Sequence, residues 1–210
     1  MMPTTILVTG FGPFPGAPFN PTGPLVKRLA RLRMARTKIV THIFETSYAA
    51  VDRDLPKLMR RYKPDAILMF GLAPRARVLR IETRAQNALA RLADASGATP
   101  KRAAIVEDEP PAIPMPVPAR RLLTAVRKTG VRARLSRDAG TYLCNYLCWR
   151  AAEAAARNGG PRLAAFVHVP LPAQKSGTKP YKLTLNSLAA AAKAALVAVV
   201  ASIRPKRLPT

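Results

Sequence analysis

Four short apolar runs constrain the fold most. Residues 4–9 (TTILVT), 38–44 (KIVTHIF), 66–71 (AILMFG) and 163–169 (LAAFVHV) have the length and β-branched content of buried strands. Glycine or proline closes three of them, at Gly10, Gly71 and Pro170. Helical stretches separate them. Residues 25–35, 49–62, 120–128, 145–157 and 185–203 read as helices, with Pro56 near the first turns of the second or at a kink. Residues 77–82 and 131–135 read as two further strands. Strands that alternate with helices over short connections imply an α/β fold, a three-layer αβα sandwich with a largely parallel central sheet. Ligands in such sheets gather at the carboxyl ends of strands, which points to residues 10–20 and 71–82, to Cys144 and to His168.

Two segments resist regular structure. Residues 10–24 (GFGPFPGAPFNPTGP) are too rich in Pro and Gly for a helix or a strand. Residues 96–118 hold six Pro and the acidic triplet Glu107-Asp108-Glu109, and a loop of that length in a compact domain is usually functional.

A chain of 210 residues, 49% of them hydrophobic, suits one domain over residues 1–210 with a sizeable core. No run has the uninterrupted apolar length of a membrane span, the nearest being the Ala-rich residues 188–203, interrupted by Lys193. No secretory leader is evident, and Cys144 and Cys148, four residues apart, make a poor disulfide. The expectation is a cytoplasmic protein with free thiols. Its formal charge of +24 attracts anions. The basic residues are nevertheless spread along the chain and are not interleaved with aromatics, which argues for a solvated basic surface over a nucleic-acid site.

Cys144 opens an Ala-rich helix. A thiol there meets the positive end of the helix dipole and unpaired N–H groups, which favour the thiolate and can hold an oxyanion. Such a Cys needs a base within hydrogen-bond reach, and His168 at a strand end is the better placed of only two histidines. Among 11 carboxylates, Glu82 is the strand-end candidate to orient that imidazole. Cys148, one turn further on, reads as core. The loop GFGPFPG departs from a dinucleotide-binding loop, because its third Gly is displaced and its prolines block the helix start. No phosphate-cradling loop and no metal-ligand spacing is present, and no cofactor is implied.

Longer motifs extend these assignments. VTGFGPFPGAPFNPT, GLAPRARVLRIETRAQN, IVEDEPPA, AGTYLCN and FVHVPLP follow one another over nearly the whole chain. In this order they resemble the type I pyroglutamyl peptidases, which remove an N-terminal pyroglutamyl residue from peptides. The resemblance implies a catalytic Cys144, His168 and Glu82, and a lactam slot formed by Phe11, Phe14 and Tyr142, since a flat lactam suits an aromatic slot. It also implies roles for Asn20 in the first loop, for Asn87 beside the Glu82 segment, and for Arg91 near the oxyanion. A homotetramer acting on peptides with blocked N-termini is implied as well.

The chain departs from the family pattern at Leu72, where a lactam-contacting Gln is usual, and at Pro74-Arg75-Ala76, where Gly-Gly-Arg is usual. Leu cannot make the hydrogen bond of Gln, a loss of about 1–3 kcal/mol for a buried partner. Two alternatives follow: a cysteine hydrolase of the same fold with shifted substrate, and a catalytically silent basic protein that binds polyanions.

Overall fold

The computed structural model describes residues 3–172 and 183–203. Its centre is a six-stranded sheet ordered β2-β1-β3-β8-β4-β7. The strands are β1 (Thr4–Phe11), β2 (Thr37–Phe44), β3 (Ala66–Leu72), β4 (Leu79–Glu82), β7 (Ala133–Ser136) and β8 (Leu163–Val169). Two short strands, β5 (Arg84–Gln86) and β6 (Ala112–Pro114), pair separately as an antiparallel ribbon. The helices are α1 (Thr22–Ala30), α2 (Tyr48–Tyr62), α3 (Ala119–Arg127), α4 (Leu143–Ala156) and α5 (Leu185–Ile203).

Alternation along the strands divides the core in two. Ile6, Val8, Leu68, Phe70, Ile81, Val167 and Val169 pack with α1, α3 and α5. Leu7, Phe11, Ile67, Met69, Ala164 and Phe166 pack with α2 and α4. This is the expected αβα sandwich. Helix α5 is long and apolar enough to cross a membrane by length and composition, but half of that stretch is buried within the fold.

The sheet is mixed in one respect that the local pattern does not announce. β2, β1, β3 and β8 run parallel, whereas β4 and β7, parallel to each other, join β8 antiparallel. Arg80 therefore pairs with His168, and Glu82 pairs with Phe166, one rung deeper.

Several boundaries differ from expectation. α1 begins at Thr22, inside the Pro-rich loop, and ends at Ala30, not at residue 35. Pro24 falls in its first turn, where a missing N–H costs nothing. Met34, expected in the helix, instead forms a bridge with Thr37. Pro56 lies in the middle of α2, beyond its first turns. The irregular stretch includes β6, and the last strand before α4 starts at Ala133, not at residue 131.

Candidate active site

Three strands and one helix build the site on the α4 side of the sheet. β1 and β3 pair only as far as Thr9–Met69, although β1 continues to Phe11 and β3 to Leu72. The ladder ends there, at the carboxyl ends of the two strands, the general location of ligands in parallel sheets. α4 points its N-terminus at this region. Gly140, with φ at +80°, turns the chain into the helix, and its N–H donates to Asp138 Oδ1 at 2.9 Å. Tyr142 precedes α4 in an extended conformation and offers no side-chain cap, so the first-turn N–H groups have no side-chain acceptor from it.

Cys144 is half-buried in this first turn. Directly beneath it lies Gly71 of β3. A Cβ at position 71 would come within 2.7 Å of Cys144 Sγ and within 2.5 Å of Phe166 Cζ. Only glycine lets the thiol approach the sheet this closely. Asn145, fully buried, ties the same helical turn to β5: its Oδ1 accepts from Gln86 N at 2.8 Å, and its Nδ2 donates to Gln86 O at 2.8 Å and Ala88 O at 3.1 Å.

His168, 3% exposed, points from β8 toward α4. Its Nδ1 donates to Glu82 Oε1 at 2.8 Å, which leaves Nε2 as the nitrogen free to serve Cys144. Burial alone would depress the imidazolium. The charge and hydrogen bond of Cys144, followed by those of Glu82, outweigh it and raise His168 to about 9. Glu82 is wholly buried. It was singled out as a strand-end residue, and it does close β4. Because β4 runs antiparallel to β8, however, Glu82 lies one rung below His168 and is reached diagonally. Arg80 occupies the outer rung. Its Nε is 3.4 Å from Glu82 Oε1, and a terminal nitrogen is 3.4 Å from His168 Nδ1.

The remaining candidates divide into lining and scaffold. Phe11, 2% exposed, closes β1 against Phe44, with ring centroids 5.9 Å apart. Phe14 is half-buried in the following loop, bridged to Ala17. Tyr142 adjoins the nucleophile helix, donates its hydroxyl to Ala93 O at 2.9 Å and meets Tyr48 edge-on. Leu72 is the last residue of β3, and strand alternation directs it to the face opposite Gly71 and the thiol. Arg91 is exposed and follows Ala90, whose N–H donates to Thr141 O at 2.7 Å, so it lies at the rim of the nucleophile loop.

Asn20 is scaffold: it donates to Gly12 O at 3.0 Å and accepts from the Thr22 N–H and hydroxyl. Asn87 is also scaffold, but for a different segment than expected. It accepts from Ile105 N and Val106 N and donates to Val106 O, so it grips the long loop and not the Glu82 strand. Cys148 is core as expected, fully buried, with burial pushing its thiol well above 9.

Gly71 and Arg80 fall within the expected strand-end region 71–82 but carry no individual role there, and Asn145 is not expected at the site. The Arg-x-Glu spacing of Arg80 and Glu82 places both on one face of a strand, a signal available in the sequence. No local signal marks Gly71 or Asn145, because their partners are remote in the chain. The larger grooves lie elsewhere: about 680 Å³ between α2 and α4 and about 760 Å³ between α3 and α5, neither lined by Cys144, His168 or Glu82.

An αβα sandwich that brings together a helix-terminal thiol, an imidazole and a buried carboxylate has the makings of a cysteine hydrolase. The sequence matches the pyroglutamyl peptidase family over residues 4–203, and the chain belongs to that family. It is 32% identical to the pyrrolidone-carboxylate peptidase of Pyrococcus furiosus over 166 residues, 79% of this chain and 80% of that protein. It is 36% identical to pyrrolidone-carboxylate peptidase 1 of Ralstonia nicotianae over 175 residues, 82% of this chain and 81% of that protein. Among solved structures, a mutant P. furiosus pyrrolidone carboxyl peptidase superposes with a TM-score of 0.87 at 27% identity, covering 96% of this chain and 100% of that one. Pyroglutamyl peptidase I of Bacillus amyloliquefaciens gives 0.83 at 30% identity, covering 94% and 97%.

Proposed function

We propose that this protein is a cysteine omega peptidase that removes an N-terminal pyroglutamyl residue from peptides, with Cys144, His168 and Glu82 as its triad. The observation that carries the reading is the 2.8 Å Glu82–His168 pair beside a thiol seated over Gly71 at the start of α4. The names of the relatives supply the substrate class.

The chemistry follows from the geometry. Thiolate Cys144 attacks the carbonyl of the pyroglutamyl residue, and first-turn N–H groups of α4 receive the oxyanion. Imidazolium His168 gives its proton from Nε2 to the departing amine as the C–N bond breaks, leaving a thioester. Neutral His168 then takes a proton from water, whose oxygen attacks the thioester and releases pyroglutamate and the thiolate. Glu82 holds the tautomer with the proton on Nδ1 and supports the imidazolium. The lactam lies at the carboxyl ends of β1 and β3, against Phe11, Phe14 and Tyr142. Asn20 shapes that site from behind, and Arg91 stands at its rim. Leu72 contributes backbone to the far lip, because its side chain belongs to the other face.

Residues 1–210 serve as one catalytic domain of a cytoplasmic homotetramer, and light scattering that returns a monomer would remove the tetramer. The test of function is release of aminocoumarin from pyroglutamyl-aminocoumarin under reducing conditions. Wild type is expected to turn over and Cys144→Ala to lose all measurable activity; full activity in Cys144→Ala overturns the triad. A second reading, a cysteine hydrolase with shifted substrate, follows from the departures at Leu72 and Pro74-Arg75-Ala76, although the Leu72 side chain turns away from the thiol. It takes over if wild type is inactive while Cys144 is still rapidly alkylated.

A further inference from the structure

We infer that Arg80 is a positioning residue of the active site, a fixed cation that clamps Glu82 from the solvent side and sets the pH range over which the Cys144–His168 pair is armed. The inference rests on the triad reading but not on the pyroglutamyl substrate.

The antiparallel junction of β4 with β8 is what creates this contact. Arg80 is the cross-strand partner of His168, and Glu82, two residues on, is the partner of Phe166. Both side chains face α4, so Arg80 lies on the outer rung and the carboxylate on the inner one. Their exposures follow that order: the Arg80 side chain is 22% exposed and the Glu82 side chain 0%. The guanidinium reaches 3.4 Å to Glu82 Oε1 and 3.4 Å to His168 Nδ1. It cannot be an acceptor for Nδ1–H, so the contact with the imidazolium is one between like charges. Its favourable partner is the carboxylate. Two buried polar atoms, Arg80 Nε and Glu82 Oε2, have no hydrogen-bond partner, so charge attraction, not a saturated hydrogen-bond network, holds the pair.

Charge balance explains why a cation is useful there. The armed site holds a thiolate, an imidazolium and a carboxylate, which together carry one net negative charge. Arg80 brings the cluster to neutrality in a place where an unbalanced charge is costly. The other charged or titratable groups facing this cluster, among the described residues, are few. Arg134 of β7 pairs with Arg80 on the side away from His168 and is exposed. Cys148 of α4 lies within electrostatic reach of Glu82 and Cys144, and burial keeps it a thiol. Tyr142, just before α4, lies within electrostatic reach of Cys144, and burial, then Asp94 and Cys144, make its phenol harder to ionise.

The sign of the effect is fixed. A nearby positive charge makes neighbouring protons easier to lose, so removing it moves their titration to higher pH. The experiment compares wild type, Arg80→Gln and Arg80→Lys. It measures the rate of Cys144 alkylation by iodoacetamide from pH 5 to 10, then kcat and KM on the aminocoumarin substrate. Alkylation needs no peptidase activity, so failure of the substrate reading leaves this test intact. Cys144→Ala supplies the background from Cys148.

Arg80→Gln is expected to move both limbs of the pH profile upward by about half to one unit, which slows alkylation by roughly 3–10-fold at any pH on the acid limb. It should lower kcat and leave KM unchanged, since Arg80 supports the triad and not the substrate. Arg80→Lys keeps the charge but loses the fork, so its profile stays within about 0.2 unit of wild type. A residue that merely packs would lower kcat without moving either limb. An unshifted Arg80→Gln profile overturns the inference, as does an Arg80→Lys profile that shifts as far as that of Arg80→Gln. Should Arg80→Gln fail to fold, Arg80→Met takes its place: an upward shift that Arg80→Lys lacks supports the inference, and an unshifted Arg80→Met profile overturns it.

Discussion

The two faces of the central sheet are built from the same strands, yet they differ in kind. Toward α1, α3 and α5 the strands present Phe70, Ile81 and Val167, one uninterrupted apolar layer. Their immediate neighbours Gly71, Glu82 and His168 face α4 and make a site. The helices follow the same division. α1, α3 and α5 contain no Asp or Glu at all, whereas α2 and α4 contain Asp52, Asp54 and Glu153. One face stabilises the fold through burial, and the charges on its helices are all basic. The other gives up apolar contact to hold a wholly buried carboxylate and a 3% exposed imidazole. The sheet's share of the proposed site thus lies on alternate residues of three strands, and neighbouring substitutions there should separate activity from stability.

The comparison is tested hardest at Glu82. Glu82→Gln keeps the shape but removes the charge that supports the imidazolium, and kcat should fall about 10³–10⁴-fold. A turnover within a few-fold of wild type would exclude Glu82 from the triad.

Gly71→Ala comes next. The added methyl would stand 2.7 Å from Cys144 Sγ and 2.5 Å from Phe166 Cζ. The thiol must move by the better part of an ångström, and kcat/KM should drop on the order of 10²-fold or more. An active Gly71→Ala would show that the thiol does not need its close seat on the sheet.

A pH effect on stability follows from His168, raised from 6.5 to about 9. A group raised on folding contributes stability that is fully present below its unfolded value and is lost as pH rises through its folded one. Stability should therefore decline between pH 6.5 and 9.5, by on the order of 1–3 kcal/mol, in urea titrations. Cys144→Ala removes the largest influence holding the imidazolium up, and should flatten the slope. Equal slopes in the two proteins would refute the thiolate–imidazolium pair.

The smallest effect is expected on the opposite face. Ile81 is fully buried between Arg80 and Glu82 in sequence. Ile81→Val should cost about 0.5–1.5 kcal/mol of stability and leave kcat unchanged. A large loss of turnover at this position would mean that the two faces are not separable.

Much of the molecule was legible because it is written locally. The four apolar runs specify buried strands by composition, and the strands were found where those runs stand. The order of motifs around Cys144 and His168 pointed to the family. Errors arose where a side chain remote in sequence decides the outcome. Thr22 and Asn20 bond back to Phe11 and Gly12 at the end of β1, and α1 starts there inside a Pro-rich loop that reads as irregular. Asn87 serves the loop at residues 105–109 and not the strand beside it in the chain. Leu72 stands at the right strand end but on the wrong face for its side chain to meet the thiol.

The sequence by itself determined the elements, the αβα class and the candidates proposed as nucleophile and base, because periodicity and helix-terminal position are properties of neighbouring residues. Only the tertiary structure decided that β4 and β7 run against the other four strands. That reversal sets Arg80 level with His168 and Glu82 one rung below it. Strand direction depends on pairing between segments about 85 residues apart, a free-energy difference that no local pattern records.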